Sequence, residues 1–88
     1  MKRVHLFISG NVQGVFFRAF VRERAINLGL NGWVKNLEDG RVESVFEGEN
    51  DKVNRMVELC KKGPSSANIK NINVIKEEVQ RERSFVVR

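Results

Sequence analysis

Cysteine is nearly absent from this 88-residue chain, which contains only Cys60. A single cysteine cannot form an intramolecular disulfide, and His5 is the only histidine. Together these two side chains are too few to build a zinc site within the chain. We therefore expect no metal, no cofactor and a fold that is stabilised by packing alone.

Long apolar runs are missing as well. No stretch approaches the roughly 20 apolar residues that a membrane span requires. Residues 1–5 lead directly into an alternating pattern, without the apolar core of a signal peptide. We expect a cytoplasmic protein with no membrane partner. The length predicts one domain over residues 1–88, and an apolar fraction of 41% supports one modest core.

Carboxylates are outnumbered by cationic side chains. Sixteen Lys and Arg against eleven Asp and Glu give a net charge of +5, which favours an anionic partner such as phosphate, nucleic acid or an acidic surface. The only aspartates, Asp39 and Asp51, fall in a predicted turn and at a predicted helix start. They indicate neither an aspartyl nucleophile nor a carboxylate pair for magnesium. Cys60 lies on an apolar helical stripe, which is typical of a buried thiol rather than a phosphatase nucleophile.

Apolar periodicity predicts the element order strand, helix, strand, strand, helix, strand. The strands are predicted over residues 3–9, 30–36, 41–47 and 69–79, with a short fifth edge strand over 85–87. The first helix begins near Phe17 and ends at Gly29, while the second is capped by Asn50 and ends at Gly63. An irregular phase in the fourth strand predicts a bulge. The fold class is α+β, a ferredoxin-like sandwich with two helices on one face of an antiparallel four-stranded sheet.

The segment between the first strand and the first helix has the composition of an anion-binding loop. Gly10 and Gly14 let backbone N–H groups converge on one point, and such a nest binds anions. Arg18, in the first helical turn, adds a forked cation suited to phosphoryl oxygens. The same spacing also occurs in ordinary connections that carry a surface arginine. No Lys-Ser or Lys-Thr follows Gly14, so a nucleotide-binding loop is disfavoured.

Two motifs together resemble the acylphosphatase family. The first is Gly10-Asn11-Val12-Gln13-Gly14-Val15-Phe16-Phe17-Arg18, and the second is Gly32-Trp33-Val34-Lys35-Asn36. The resemblance extends over nearly the whole chain and is weakest over residues 65–82. It implies an enzyme that hydrolyses carboxyl-phosphate anhydrides, with a small acyl phosphate as substrate and inorganic phosphate as product.

The same resemblance implies a role for each motif residue. Arg18 and Asn36 are the expected catalytic residues, and Asn36 is expected to position the attacking water. The phosphoryl oxygens are expected to bind the backbone of Gly10, Asn11, Val12, Gln13, Gly14, Val15 and Phe16, together with Arg18. A carboxylate whose conjugate acid has a pKa of roughly 4 leaves without a general acid. Neither motif contains a base, so we expect the proton of the water to pass to the substrate's own phosphoryl oxygens.

A nucleic-acid-binding module is the alternative interpretation. RNA-recognition domains share this fold and basic charge, and Phe7 and Phe46 are candidates for a base-stacking platform. The predicted third strand lacks the glycine and aromatic pattern of such domains. It also carries Glu43 and Glu47, which repel phosphate. The sequence thus argues against a nucleic-acid partner, and we expect a monomer that acts on a small molecule.

Overall fold

A computed structural model describes all residues 1–88 as five strands and two helices. The elements are β1 (Lys2–Asn11), α1 (Phe17–Asn27), β2 (Asn31–Asn36), β3 (Val42–Gly48), α2 (Asn50–Lys62), β4 (Asn68–Glu77) and β5 (Phe85–Val87). The strands form one sheet in the order β4-β1-β3-β2-β5. Neither helix is long and apolar enough to cross a membrane.

Both helices pack on one face of the sheet, as the sequence predicted. Alternation along β1 places Val4, Leu6 and Ile8 on that face, where each is at most 2% exposed. The buried stripe of α1 is Phe17, Val21 and Ala25, and that of α2 is Val53, Met56 and Cys60. These residues belong to a single core cluster that also contains Phe46 and Phe85. The predicted ferredoxin-like sandwich is confirmed.

The fifth strand makes the sheet mixed rather than purely antiparallel. β5 pairs in parallel with β2, with Gly32 opposite Phe85. The reason is the direction of travel: β4 ends beside Arg3, at the same end of the sheet where β2 begins. Residues 78–84 cross the sheet at that end, so the chain enters its last strand in the same direction as β2. The ring of Phe85 then stacks on Phe46, with centroids 5.7 Å apart.

Two local predictions have different outcomes. The predicted irregularity is present where β1 pairs with β4, as a register shift between Ser9 and Gly10. The predicted cap of α2 is wrong, because Asn50 is already helical and Glu49 is the N-cap, without a side-chain capping bond. Instead the Glu49 carbonyl accepts a backbone bond from Val53, and Asp51 puts a negative charge in the first turn, where the helix dipole favours it.

Candidate active site

The candidate site lies where β1 and β2 end and α1 begins. Both strands are antiparallel to β3, so they run in the same direction and end at the same end of the sheet. Asn36 and Ile8 both pair with Val42, which places the end of β2 one strand away from the end of β1. A cavity of about 690 Å³ opens there. Its lining is Val12, Gly14, Phe16, Phe17, Arg18, Ala19, Arg22, Glu23, Ile26, Asn27, Asn36 and Val87.

The loop between β1 and α1 leaves a series of backbone donors free. The φ angles of Gly14 and Phe16 are 71° and 60°, both in the left-handed region. No backbone N–H from residues 12–16 donates to an acceptor in the protein. The first N–H groups of a helix also lack intrahelical acceptors, and they carry the positive end of the helix dipole. Together these donors form a site suited to an anion at the start of α1.

Two side-chain contacts hold the loop in position. Gln13 Nε2 donates to the carbonyl oxygens of Leu37 and Arg41, at 2.8 and 2.9 Å, which ties the loop to the β2–β3 turn. Ser66 Oγ donates to the Val15 carbonyl oxygen at 2.9 Å from the segment that follows α2. The free N–H groups therefore belong to a loop that is anchored on two sides.

Arg18 and Asn36 present complementary groups to the same cavity. Arg18 is half-buried in the first turn of α1, and its Nη1 donates to the main-chain oxygen of Arg88 at 3.1 Å. No aspartate or glutamate side chain pairs with it. Asn36 Oδ1 is buried and accepts no hydrogen bond from the protein, the only buried side-chain oxygen or nitrogen so placed. Leaving such a group unpaired costs about 1–3 kcal/mol, and exceptions of this kind call for an explanation such as a catalytic role or a bound water.

The structure brings together five of the nine residues that the motifs singled out. Those lining the cavity are Val12, Gly14, Phe16, Arg18 and Asn36. Gly10 and Asn11 belong to β1, while Gln13 and Val15 anchor the loop without lining the cavity. The motifs did not indicate Ala19, Arg22, Glu23, Ile26, Asn27 or Val87. All but Val87 follow Arg18 on α1, so helical spacing from Arg18 was the signal that could have found them.

The remaining chemically active side chains lie elsewhere. His5 is on the opposite face of the sheet, where its Nδ1 contacts Glu77 at 2.8 Å and its Nε2 contacts Glu43 at 2.6 Å. Cys60 is fully buried in the core, and burial raises the pKa of its thiol to about 12. No three His, Cys, Asp or Glu side chains lie close enough together to hold a metal ion.

The aromatic platform of the nucleic-acid alternative does not form. Phe46 pairs with Val4, so it points to the helices and is fully buried. Phe7 pairs with Glu43 and points to the opposite face, where Arg41 lies over its ring at 5.1 Å. Because the two rings are on opposite faces of the sheet, they cannot stack bases together.

A ferredoxin-like sandwich with a loop of free N–H groups, an arginine and a buried amide at one end is typical of a small phosphate-handling enzyme. The sequence model of the acylphosphatase family matches residues 4–87. An acylphosphatase of Haloarcula marismortui is 51% identical over 86 residues, which cover 98% of this chain and 94% of that protein. An acylphosphatase structure from Coxiella burnetii has a TM-score of 0.94 at 44% identity, covering 99% of this chain and 92% of its own. The one from Bacillus subtilis has a TM-score of 0.95 at 35% identity, covering 99% and 98%.

The chain belongs to the acylphosphatase family. It is an enzyme that hydrolyses acyl phosphates to a carboxylate and inorganic phosphate. The nucleic-acid interpretation is not favoured by these relatives or by the position of Phe46.

Proposed function

We propose that this enzyme divides its chemistry between a phosphate-holding loop and a water-positioning amide. The loop of residues 10–16 and Arg18 hold the phosphoryl group, and Asn36 orients the nucleophilic water. One observation supports this proposal above the others: the unpaired, buried Oδ1 of Asn36 and the guanidinium of Arg18 line the same cavity.

The phosphoryl group binds at the start of α1. The free N–H groups of residues 12–16 donate to its equatorial oxygens, and Arg18 contributes a permanent positive charge with further N–H donors. Charge on those oxygens is what a phosphoryl-transfer site must stabilise, and preorganised donors do so without reorganising during the reaction. The contacts of Gln13 and Ser66 supply that preorganisation, because they fix the loop before substrate arrives.

The nucleophilic water binds at Asn36. Its Oδ1 accepts a hydrogen bond from the water, which turns a lone pair of the water oxygen toward phosphorus. The new bond forms between that oxygen and phosphorus, while the bond from phosphorus to the acyl oxygen breaks and its electron pair leaves with the carboxylate. The proton of the water passes to a phosphoryl oxygen, and the product is inorganic phosphate. With a leaving group of pKa roughly 4 the step needs no general acid.

Paired substitutions test this division of labour. With acetyl phosphate as substrate, Asn36→Ala should lower kcat about 100-fold with little change in KM, because it removes an interaction with the nucleophile. Arg18→Gln should lower kcat and raise KM together, because the guanidinium holds the phosphoryl group in both the ground and transition states. Phosphate release in the presence of excess chelator is the measurement.

Matched variants control for general damage. Asn71→Ala removes an exposed amide on β4, and Arg24→Gln removes an exposed guanidinium of α1 that does not line the cavity. Both should hydrolyse acetyl phosphate at the rate of the parent protein. Full turnover by Asn36→Ala would rule out the water-positioning role, and an unchanged KM in Arg18→Gln would rule out phosphate holding by Arg18.

The enzyme acts as a monomer in the cytoplasm on a small substrate. Arg18 and Asn36 line one cavity formed within a single chain, which supports a site that a monomer can complete. The single cysteine is a free buried thiol, as is usual in a reducing compartment. Light scattering at micromolar concentration is the test of the monomer, and a dimer mass would contradict it.

A further inference from the structure

Three exposed apolar side chains line the cavity of the candidate active site. Eight large apolar side chains of the chain are exposed, and three of them, Phe16, Ile26 and Val87, line this one cavity. Phe16 is 84% exposed although its backbone has a φ of 60°, a conformation that costs free energy for a bulky residue. Core packing does not account for a strained and exposed phenylalanine at this position.

Two of these side chains, Ile26 and Val87, extend the cavity away from the phosphate-holding end. Arg18, Arg22 and Ile26 follow one another at a spacing of four residues, so they lie along one side of α1. Ile26 is therefore about 12 Å along the helix from Arg18. β5 lies beside α1 and brings Val87 to the same cavity. The site is long enough to hold both a phosphoryl group and a sizeable acyl group.

The charged side chains on the α1 side of the cavity do not favour a second anionic group on the substrate. Arg22 and Glu23 both line the cavity and carry opposite charges, so their contributions to the field there oppose each other. The side chains of Phe16, Ile26 and Val87 instead present apolar surface to the cavity.

We infer that Phe16, Ile26 and Val87 form an acyl-binding wall of the cavity, which binds the acyl group of the substrate and selects apolar acyl groups over acetyl. This inference rests on the proposed function, in which Arg18 and the loop fix the phosphoryl end of the substrate. With that end fixed, the acyl group extends along the wall and removes the exposed apolar side chains from water. The enzyme is thereby a hydrolase of aliphatic and aromatic acyl phosphates larger than acetyl phosphate.

A series of acyl phosphates tests this selectivity with the unmodified protein. The substrates are acetyl, butanoyl, hexanoyl, benzoyl and succinyl phosphate, and the aliphatic monoacids differ little in leaving-group acidity. Partial burial of each added methylene should raise kcat/KM about twofold. Succinyl phosphate should be no better than butanoyl phosphate. Equal kcat/KM for acetyl and hexanoyl phosphate, or a preference for succinyl phosphate, would overturn the inference.

Surface variants locate the selectivity on the wall. Phe16→Ala and Ile26→Ser should lower the ratio of kcat/KM for hexanoyl to that for acetyl phosphate at least threefold. Both side chains are substantially exposed, so neither change opens a core cavity. Ile75→Ser, which changes an exposed isoleucine on β4, should leave the ratio unchanged. An unaltered ratio in both wall variants would show that the acyl group binds elsewhere.

The two proposals fail in distinguishable ways. Turnover of acetyl phosphate with no dependence on chain length overturns only the acyl-binding wall. Absence of turnover with every acyl phosphate overturns the proposed function, and the acyl-binding wall with it.

Discussion

Gly10 shows how a single residue fixes the start of the site. Its φ is 131°, and a Cβ added there would collide with the carbonyl oxygen of Asn68 and lie 2.8 Å from the Lys70 nitrogen. Both neighbours are backbone atoms of β4, which cannot rotate away as a side chain would. A glycine is therefore required at the point where β1 changes register and leads into the loop.

Replacing Gly10 by alanine should destabilise the protein. The added methyl group must displace β4 as well as impose an unfavourable φ, and we expect a loss of about 3 kcal/mol in the free energy of unfolding. Gly40→Ala is the matched control, because its φ is 95° and a Cβ there meets no atom within 4 Å. That variant should lose only about 1 kcal/mol. Urea unfolding measures both, and equal losses would show that contact with β4 is unimportant.

The sequence singled out Arg18 and Asn36, and the structure places both at one cavity, but their surroundings there were not all predictable. Arg18 and Asn36 were singled out because two motifs occur together in one chain. The unpaired state of Asn36 Oδ1 was not predictable, since it depends on which side of β2 faces α1 and on what surrounds that end of the sheet. The alternation of side chains along β2 places Asn36 on the same face as Val34, and this can be predicted from the local sequence. The burial of the Asn36 oxygen depends on tertiary packing, which cannot be predicted in this way.

Among the elements, the crossing segment of residues 78–84 is held by one buried carboxylate. Glu47 on β3 is 2% exposed and accepts hydrogen bonds from the backbone N–H groups of Gln80 and Glu82, both at 2.7 Å. Arg3 Nη1 lies 3.3 Å from Glu47 and 2.8 Å from Glu82, and its Nε donates to Glu77. This network holds the crossing segment at the end of the sheet away from the active site.

Glu47→Gln should loosen the crossing segment. A neutral amide cannot replace a carboxylate that accepts from two backbone N–H groups and an arginine, so stability should fall by about 2 kcal/mol at pH 7. Hydrogen exchange at the Gln80 and Glu82 amides should quicken more than exchange at core amides of β1. Glu38→Gln, in the exposed β2–β3 turn, is the control. Unchanged protection at those two amides would contradict the anchoring role.

Helices and strands were predictable to within a residue or two, but the arrangement of the last strand was not. Periodicity in α1 and α2 is local, and the buried stripes confirm it. The parallel pairing of β5 with β2 depends on the path of residues 78–84, which is set by Glu47, Arg3 and Asn31 on other elements. A segment held by long-range polar contacts carries no periodic signal of its own.

At the scale of the whole molecule, the carboxylates of Glu47 and Glu77 make the stability of the folded state depend on pH in the acid range. Burial alone would raise the pKa of Glu47, but hydrogen bonds from Gln80, Glu82 and Arg3 outweigh it and leave this pKa below its usual 4.5. Hydrogen bonds from Arg3 and then His5 lower the pKa of Glu77. A carboxyl group with a lowered pKa stabilises the folded state fully above the unfolded pKa. That contribution is lost as pH falls through the folded value.

Thermal stability should therefore decline below about pH 4.5, the unperturbed value for these glutamates. Melting curves recorded by circular dichroism from pH 7 to pH 3 measure the decline. In Glu47→Gln the decline should be shallower, because one of the groups that takes up a proton has been removed. A decline of the same size in Glu47→Gln and in Glu38→Gln would show that Glu47 does not contribute.

The cavity is lined by residues that lie far apart in the sequence, and neither motif forms it alone. Val87 joins residues of α1 in its lining although it lies 60 positions after Asn27, the last residue of that helix. The resemblance of the two motifs to the acylphosphatase family predicted the reaction, and Arg18 and Asn36 of those motifs both line the cavity. The motifs gave no indication of Val87, because its position in the lining depends on where the last strand meets the first helix.

The strand order β4-β1-β3-β2-β5 has a consequence for the folding pathway. β1, the first strand in the chain, lies inside the sheet between β4 and β3, and Arg3 on it contacts partners 44 and 74 residues later. The entropy cost of closing such long loops must be met before the pairing of these strands contributes to stability. Proteins of this kind typically fold in milliseconds to seconds. Since the lining includes both α1 and β5, the cavity is complete only after nearly every residue of the chain has taken its place. We therefore expect catalytic activity to be among the last properties to return during refolding.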